Sequence, residues 1–334
     1  MKKKNKIRMI PVVKYGKFSF AVSGLFILAS LAALIVFGLK PGIDFTGGSL
    51  LEVSFTGERP AQAIVLAALD KFDLGAVQAQ PSGEKNLLLR FRFITEREHQ
   101  EILQTLRLAF GAEKRAESAN PTDPADPAGQ AEDMPQVLEQ RFETIGPTVS
   151  ADLRERSWIV AIVVMAAIVA TIWYAFRGVS RPVASWKYGI VAIIALAHDT
   201  VITMGVFAIL GKLRGVQVDI PFVVALLTII GYSVNNTIVV FDRIRENLIR
   251  HGSASFADTV NAGVNQSFAR TINTSLTTLF ALVAILFFGG DSIYYFSLAL
   301  TIGLVVGTYS CLFIASPLLL VWESWQRRKS RSGQ

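Results

Sequence analysis

The sequence predicts an α-helical membrane protein with six transmembrane helices and a small α+β ferredoxin-like domain between the first and second. Three observations predict it. Of 334 residues, 51% are hydrophobic and only 18% charged, where a soluble domain carries about a quarter charged. Apolar runs long enough to cross a bilayer recur along the chain. The one long water-compatible stretch, residues 40–157, reads β-α-β-β-α-β in the order of its elements.

Residues 1–17 are basic, with Lys2, Lys3, Lys4, Lys6, Arg8, Lys14 and Lys17 and no acid. Residues 18–39 form a continuous apolar run. A signal peptide would have a shorter core and a small-residue cleavage site after it. Here Lys40-Pro41-Gly42 follows, which predicts a retained anchor with its N-terminus in the cytoplasm. Gly42 to Gly48 permit an irregular exit from the membrane, and a strand is expected over residues 49–55.

Within the polar stretch, Ile64, Val65, Ala68, Leu69 and Phe72 fall at helical spacing. Strands are expected at 76–80, 86–93 and 141–145. Thr95-Glu96-Arg97-Glu98 is a capping box that opens a helix with Ile102, Leu103, Leu106 and Phe110 inward. His99 is read as a solvated residue of that helix. Residues 118–135, with Pro121, Pro124 and Pro127, predict a disordered insertion.

Five further spans are expected in a membrane domain over 158–322: residues 158–176, 188–210, 220–241, 270–288 and one within 292–322. Arg177, Arg181 and Lys187 mark one short loop, and Arg243, Arg245 and Arg250 an amphipathic segment (242–269) expected at the membrane interface. Arg327, Arg328, Lys329 and Arg331 lie in a basic tail, 323–334. Six spans with both termini in the cytoplasm put every basic loop on one side and the domain of 40–157 on the other, as the positive-inside rule requires.

The formal net charge of +7 therefore reads as an orientation signal, and no nucleic-acid-binding motif accompanies it. The single cysteine, Cys311, allows no disulfide within the chain and reads as a small apolar residue. No cluster suited to a metal and no nucleophile–base pair is visible, so an enzyme reading and a cofactor have no support.

The polar residues inside the apolar runs are the candidates for function. Asp199, with His198 beside it and Thr203 one turn on, lies near the middle of the third span. A carboxyl there is expensive and faces either a fixed partner or a water path, where it can exchange a proton. His198 points about 100° away around the helix, so the two need not share a site. Thr228, Tyr232, Asn235 and Asn236 share one face of the fourth span, and Arg270, Asn273, Thr274, Thr277 and Thr278 one face of the fifth. Such faces are expected to turn inward, as hydrogen-bond glue between helices or as the lining of a path. Arg270 and Asn236 both sit toward the cytoplasmic side and could approach each other, or Arg270 could snorkel to the headgroups. Gly303, Gly307 and Ser310 or Cys311 make a small-residue face for close helix packing.

The string Gly231-Tyr232-Ser233-Val234-Asn235-Asn236-Thr237 running into Asp242-Arg243-Ile244-Arg245-Glu246-Asn247 resembles a signature of the SecD/SecF family, of the RND superfamily. Gly42-Ile43-Asp44-Phe45-Thr46-Gly47-Gly48, Ala197-His198-Asp199 and the Arg270 to Thr278 string resemble its other motifs, in the right order. The resemblance implies an RND-type half of a SecD–SecF complex that assists protein export across the cytoplasmic (inner) membrane using the proton motive force. It implies an obligate SecD partner, the SecYEG channel, SecA, YajC and YidC as further partners, and unfolded preproteins as substrates. Protons would be the coupling ion, and the relay positions would be Asn236 and Arg270 with Asp199 nearby, Tyr232, Asn235, Asn273, Thr274 and Thr277 supporting them.

One position departs from the family pattern: Asn236 stands where an aspartate is usual, and asparagine does not titrate. The chain could be a natural variant that relies on Asp199 and its partner, a substitution mimicking the protonated state, or a protein that has lost coupling. A non-motor scaffold of the translocase and an RND-type half-transporter for a small molecule or lipid are the alternative functions.

Overall fold

The computed structural model describes residues 11–111, 137–176, 185–250 and 255–331; the expected insertion at 118–135 and the loop arginines Arg177 and Arg181 lie outside them. Two compact units emerge, one of residues 41–156 and one of residues 1–40 and 157–334.

The smaller unit begins with a four-residue helical turn, α2 (Ile43–Thr46), and then β1 (Gly48–Phe55), α3 (Gln62–Leu69), β2 (Gln78–Ser82), β3 (Asn86–Phe91), α4 (Glu96–Gly111) and β4 (Val137–Ile145). The sheet order is β2-β3-β1-β4 with every neighbour antiparallel. Leu51, Val53 and Phe55 of β1 alternate into a core with Leu87, Leu89 and Phe91 of β3 and Val137 of β4. Val65 and Leu69 of α3 and Ile102, Leu103, Leu106 and Phe110 of α4 close that core. Two glycines let β1 start where it does. Gly47 has φ +74°, and a Cβ on Gly48 would lie 2.7 Å from the carbonyl oxygen of Phe91. The capping box forms: Thr95 N donates to Glu98 Oε2 at 2.8 Å, and Glu98 N to Thr95 Oγ1 at 3.5 Å. Those bonds, from the Thr95 amide first, then the Arg92 guanidinium, hold the Glu98 carboxyl at about 2.

His99 is a correction to the sequence reading. It is 3% exposed and stacks on Phe142, ring centroids 3.7 Å apart. Nδ1 lies 3.2 Å from Glu96 Oε1 and Nε2 3.4 Å from Glu139 Oε1. Its position three and four residues before Ile102 and Leu103 already put it on the apolar stripe of α4.

The larger unit holds α1 (Val12–Phe37), most of α5 (Pro147–Phe176), α6 (Ser185–Arg214), α7 (Ile220–Arg250), α8 (Phe256–Phe288), α9 (Asp291–Ser310), a π-helical turn (Cys311–Ala315) and α10 (Ser316–Arg331). Among the described residues, five candidate membrane spans are long and apolar enough to cross a bilayer: α1, α6, α7, α8, and α9 with the continuation through the π turn into α10. Asp219 Oδ1 caps α7 by accepting from Phe222 N at 2.9 Å, and Ser255 caps α8. Residues 242–269, expected at the membrane interface, continue the two long helices: α7 runs on to Arg250 and α8 starts at Phe256. Asn247 Nδ2 donates to Gln266 Oε1 at 3.0 Å between these extensions, and a Cβ on Gly263 would come within 3.0 Å of the Ile244 backbone. Asn261 Oδ1 then accepts from Val12 N at 3.0 Å, capping α1.

Small residues set the helix crossings. A Cβ on Gly205 of α6 would overlap Ser30 of α1, and one on Gly303 of α9 would overlap Ile229 of α7. Ser316 Oγ reaches back to the Cys311 carbonyl at 3.1 Å across the π turn. Tyr188, Phe241, Leu312, Ala315 and Leu319 close the core at that end.

Candidate functional site

Asp199 stands at the middle of α6 and is 1% exposed. A bare carboxylate there would forfeit its hydration, so the chain supplies donors. Ser233 Oγ of α7 donates to Oδ2 at 2.5 Å, and Ser310 Oγ of α9 to the same oxygen at 2.9 Å. His198, itself 4% exposed, places Nδ1 2.8 Å from Oδ1. Gly307 makes room, since a Cβ there would lie 3.4 Å from Oδ2 and 3.3 Å from Ser233 Cβ. Thr203 is fully buried and its hydroxyl bonds the Asp199 carbonyl at 2.9 Å, back along its own helix. Asp199 thus ties three helices together, and the last residue of α9, Ser310, immediately precedes the π turn. Turns of that kind inside helices cluster at functional sites.

His198 and Asp199 do share a site, although neighbours on a helix diverge; the imidazole turns back onto the carboxyl. Ser233 and Ser310 were not singled out for this role from sequence. Ser233 sits inside the Gly231-Tyr232-Ser233 string, and Ser310 ends the small-residue face of α9, which reads as packing only.

A second buried polar seam joins α7 and α8. Tyr232 OH lies 3.3 Å from Ser275 Oγ, which also accepts from Thr308 Oγ1 of α9 at 2.8 Å. Together with the Ile244–Gly263 approach, this sets an antiparallel register that puts Asn236 level with Thr271. Asn236 is 4% exposed, and among the described residues its Nδ2 has no hydrogen-bond partner; neither have Thr271 Oγ1 and Ser267 Oγ, also buried.

The remaining predicted residues lie on the surface of the chain. Thr228, Gly231 and Asn235 are exposed on α7, and Arg270, Asn273, Thr274 and Thr277 on α8. The threonines satisfy their hydroxyls on their own helices, Thr228 on Val224 O at 2.8 Å and Thr274 on Arg270 O at 2.9 Å. Thus of the residues read as an inward face, Asn236 is buried and Tyr232 and Thr278 half-buried, while the rest of both stripes look outward from this chain.

These features define an integral membrane protein whose spanning helices enclose a hydrogen-bonded carboxylate and leave a polar face uncovered. Comparison with known proteins gives the family. The SecD/SecF C-terminal family of protein export membrane proteins matches residues 128–325, and the SecD/SecF GG motif matches residues 32–57. Protein translocase subunit SecF of Thermobaculum terrenum is 38% identical over 325 residues, covering 95% of both chains. That of Synechocystis sp. is 34% identical over 96% of both. The crystal structure of SecDF, a translocon-associated membrane protein from Thermus, superposes with a TM-score of 0.75 at 27% identity. It covers 95% of this chain, which spans 39% of the solved one. The chain belongs to the SecD/SecF family.

Proposed function

We propose that this chain is the SecF-type half of a SecD–SecF unit that assists protein export across the cytoplasmic membrane. The observation that carries the reading is the uncovered polar face of α7 and α8. The side chains of Arg270, Asn235 and Asn273 make no hydrogen bond or ion pair among the described residues and lie on helices apolar enough to span. Polar side chains at that depth call for a second membrane chain or a hydrated path. A SecD-type chain is the partner, because a chain of this length spans 39% of the solved SecDF chain. The sixth span is residues 158–176 of α5, where Trp158, Ile159, Ile162 and Val163 are exposed as a lipid-facing helix requires. Both termini are cytoplasmic and the sheet unit, ferredoxin-like by its β-α-β-β-α-β order and sheet order, lies outside. The proton motive force drives the unit, with SecA and the SecYEG channel upstream. Asp199 and the Asn236–Arg270 region carry the proton together with groups of the partner.

A scaffold without proton coupling is the second reading, and Asn236 is the observation that favours it. The test is co-expression with a SecD-type chain and reconstitution into vesicles that export a preprotein. A heteromer whose export accelerates under an imposed proton gradient supports the motor. A heteromer indifferent to the gradient supports the scaffold, and a monomer without affinity for SecD overturns both.

A further inference from the structure

The groups around Asp199 form more than a support for it. When Asp199 is ionised it only accepts hydrogen bonds, and the proton shared with His198 then sits on Nδ1 while Nε2 carries a bare lone pair. That Nε2 is buried and has no hydrogen-bond partner among the described residues. No lysine or arginine pairs with Asp199 among the described residues. In this state the pair holds one uncompensated negative charge in the middle of a spanning helix, which low-dielectric surroundings penalise.

We propose that His198 and Asp199 form a one-proton store whose charge state sets how firmly α6 grips α7 and α9. A proton binds the Nε2 lone pair, and the imidazolium passes its Nδ1 proton to Asp199 Oδ1. One N–H bond forms, another breaks, and an O–H bond forms. The imidazole ends neutral with its proton on Nε2, the carboxyl ends neutral, and the site has lost its charge. Ser233 and Ser310 then donate to a neutral oxygen, where before they donated to an anion. Charge-assisted hydrogen bonds are roughly twice as strong as neutral ones, so the loaded site holds its neighbours more weakly. The release falls on Ser310, directly before the π turn. The groups facing the pair are Ser233 from α7, Ser310 and Gly307 from α9 and Cys311 from the turn. From α1, Ser30 meets α6 at Gly205. Cys311 alone among them can titrate. The inference rests on the proton-driven reading only for its purpose in export.

The chain carries its own reporter, since Cys311 is its single cysteine, fully buried beside Ser310. The full chain is placed in lipid vesicles, and infrared difference spectra are recorded between neutral and mildly acidic buffer. A carboxylic-acid C=O band is expected to rise on acidification and to vanish in Asp199→Asn. His198→Gln, which removes the Nε2 lone pair that takes up the proton, should shift the pH midpoint of that band. At one fixed pH, Asp199→Asn and Ser310→Ala should each speed alkylation of Cys311 by a membrane-permeant reagent about tenfold, roughly 1.4 kcal/mol. If Asp199→Asn fails to fold, the wild-type band, its shift in His198→Gln and the Ser310→Ala rate still decide. No band, a band that survives Asp199→Asn, a His198→Gln midpoint that stays put, or an unchanged Cys311 rate overturns the proposal. So does a response that follows sodium at constant pH. None of these readouts needs export, so an export defect without them, or the reverse, separates this inference from the function proposed above.

Discussion

A carboxylate's surroundings decide what pH does to it, and Glu98 is the case in the sheet unit. Glu98 is half-buried at the start of α4, and its carboxyl is held at about 2 by the Thr95 amide, Arg92 and the Thr95 hydroxyl. A group held below its ordinary 4.5 stabilises the fold above that value and loses the contribution as pH falls from there through about 2. Glu98→Gln keeps a capping side chain and removes the titration. Thermal melts of the sheet unit across that acid window should be flatter in the variant, and an unchanged pH profile would show that the box contributes nothing. Asn236 poses the inverse case inside the membrane. It is close in size to aspartate, so Asn236→Asp should fold, and the unpartnered Thr271 hydroxyl level with it can donate to the new acceptor. Each charge moved across the membrane is driven by roughly 2.3 kcal/mol per 100 mV. In vesicles with a SecD-type partner, the Asp form should therefore show more gradient-driven proton flux than the Asn form; equal fluxes would make position 236 a packing residue.

Helix crossings in this chain are set by glycines, and their tolerance can be measured. A Cβ on Gly205 overlaps both the side chain and the Cα of Ser30, so α1 and α6 must part to admit it. Overpacking of this sort costs roughly 1–3 kcal/mol. Gly205→Ala should lower resistance to denaturant unfolding in detergent by about that much, whereas Gly24→Ala, with nothing within 4 Å of its Cβ, should not. Elements were legible in proportion to how local their causes are. The capping box at Thr95 and Glu98, the strand after Gly48 and the apolar spans follow from residues a few positions apart. Asp199 stood out because burial of a charge is costly wherever it packs. Its partners did not, since Ser233 and Ser310 are distant in sequence and meet it only once α7 and α9 have crossed α6. The π turn left no pattern in the composition of residues 311–315. His99 was legible in its spacing but was outweighed by the polarity of its type, and stacking on Phe142 supplies what polarity had argued against. The two polar stripes were assigned an inward direction by cost alone, and cost does not say whether the cover comes from the same chain.

At the scale of the whole molecule, that last point becomes a test of what the chain is a part of. The exposed threonines of α7 and α8 return their hydroxyls to their own helices and sit against lipid at little cost. Asn235, Asn273 and Arg270 have no such refuge; Arg270 can reach the headgroups with its long stem, but an asparagine side chain is too short. Asn235 therefore distinguishes lipid from partner by the sign of a substitution. Against lipid, Asn235→Leu replaces a polar group by one that favours the bilayer and should leave the chain at least as stable. Against a SecD-type chain, the same change removes an interhelical hydrogen bond worth roughly 0.6–2 kcal/mol and should lower the yield of heteromer by about three- to thirtyfold. Gly231 lies one turn away on the same face, open within 4 Å. Gly231→Leu should thus leave the chain's own unfolding unchanged while blocking close approach of a second helix. The measurement is co-purification with a SecD-type chain beside unfolding of this chain alone. Loss of the heteromer with unfolding intact in both variants places the partner on this face. An undiminished heteromer in both would put α7 against lipid and move the interface elsewhere.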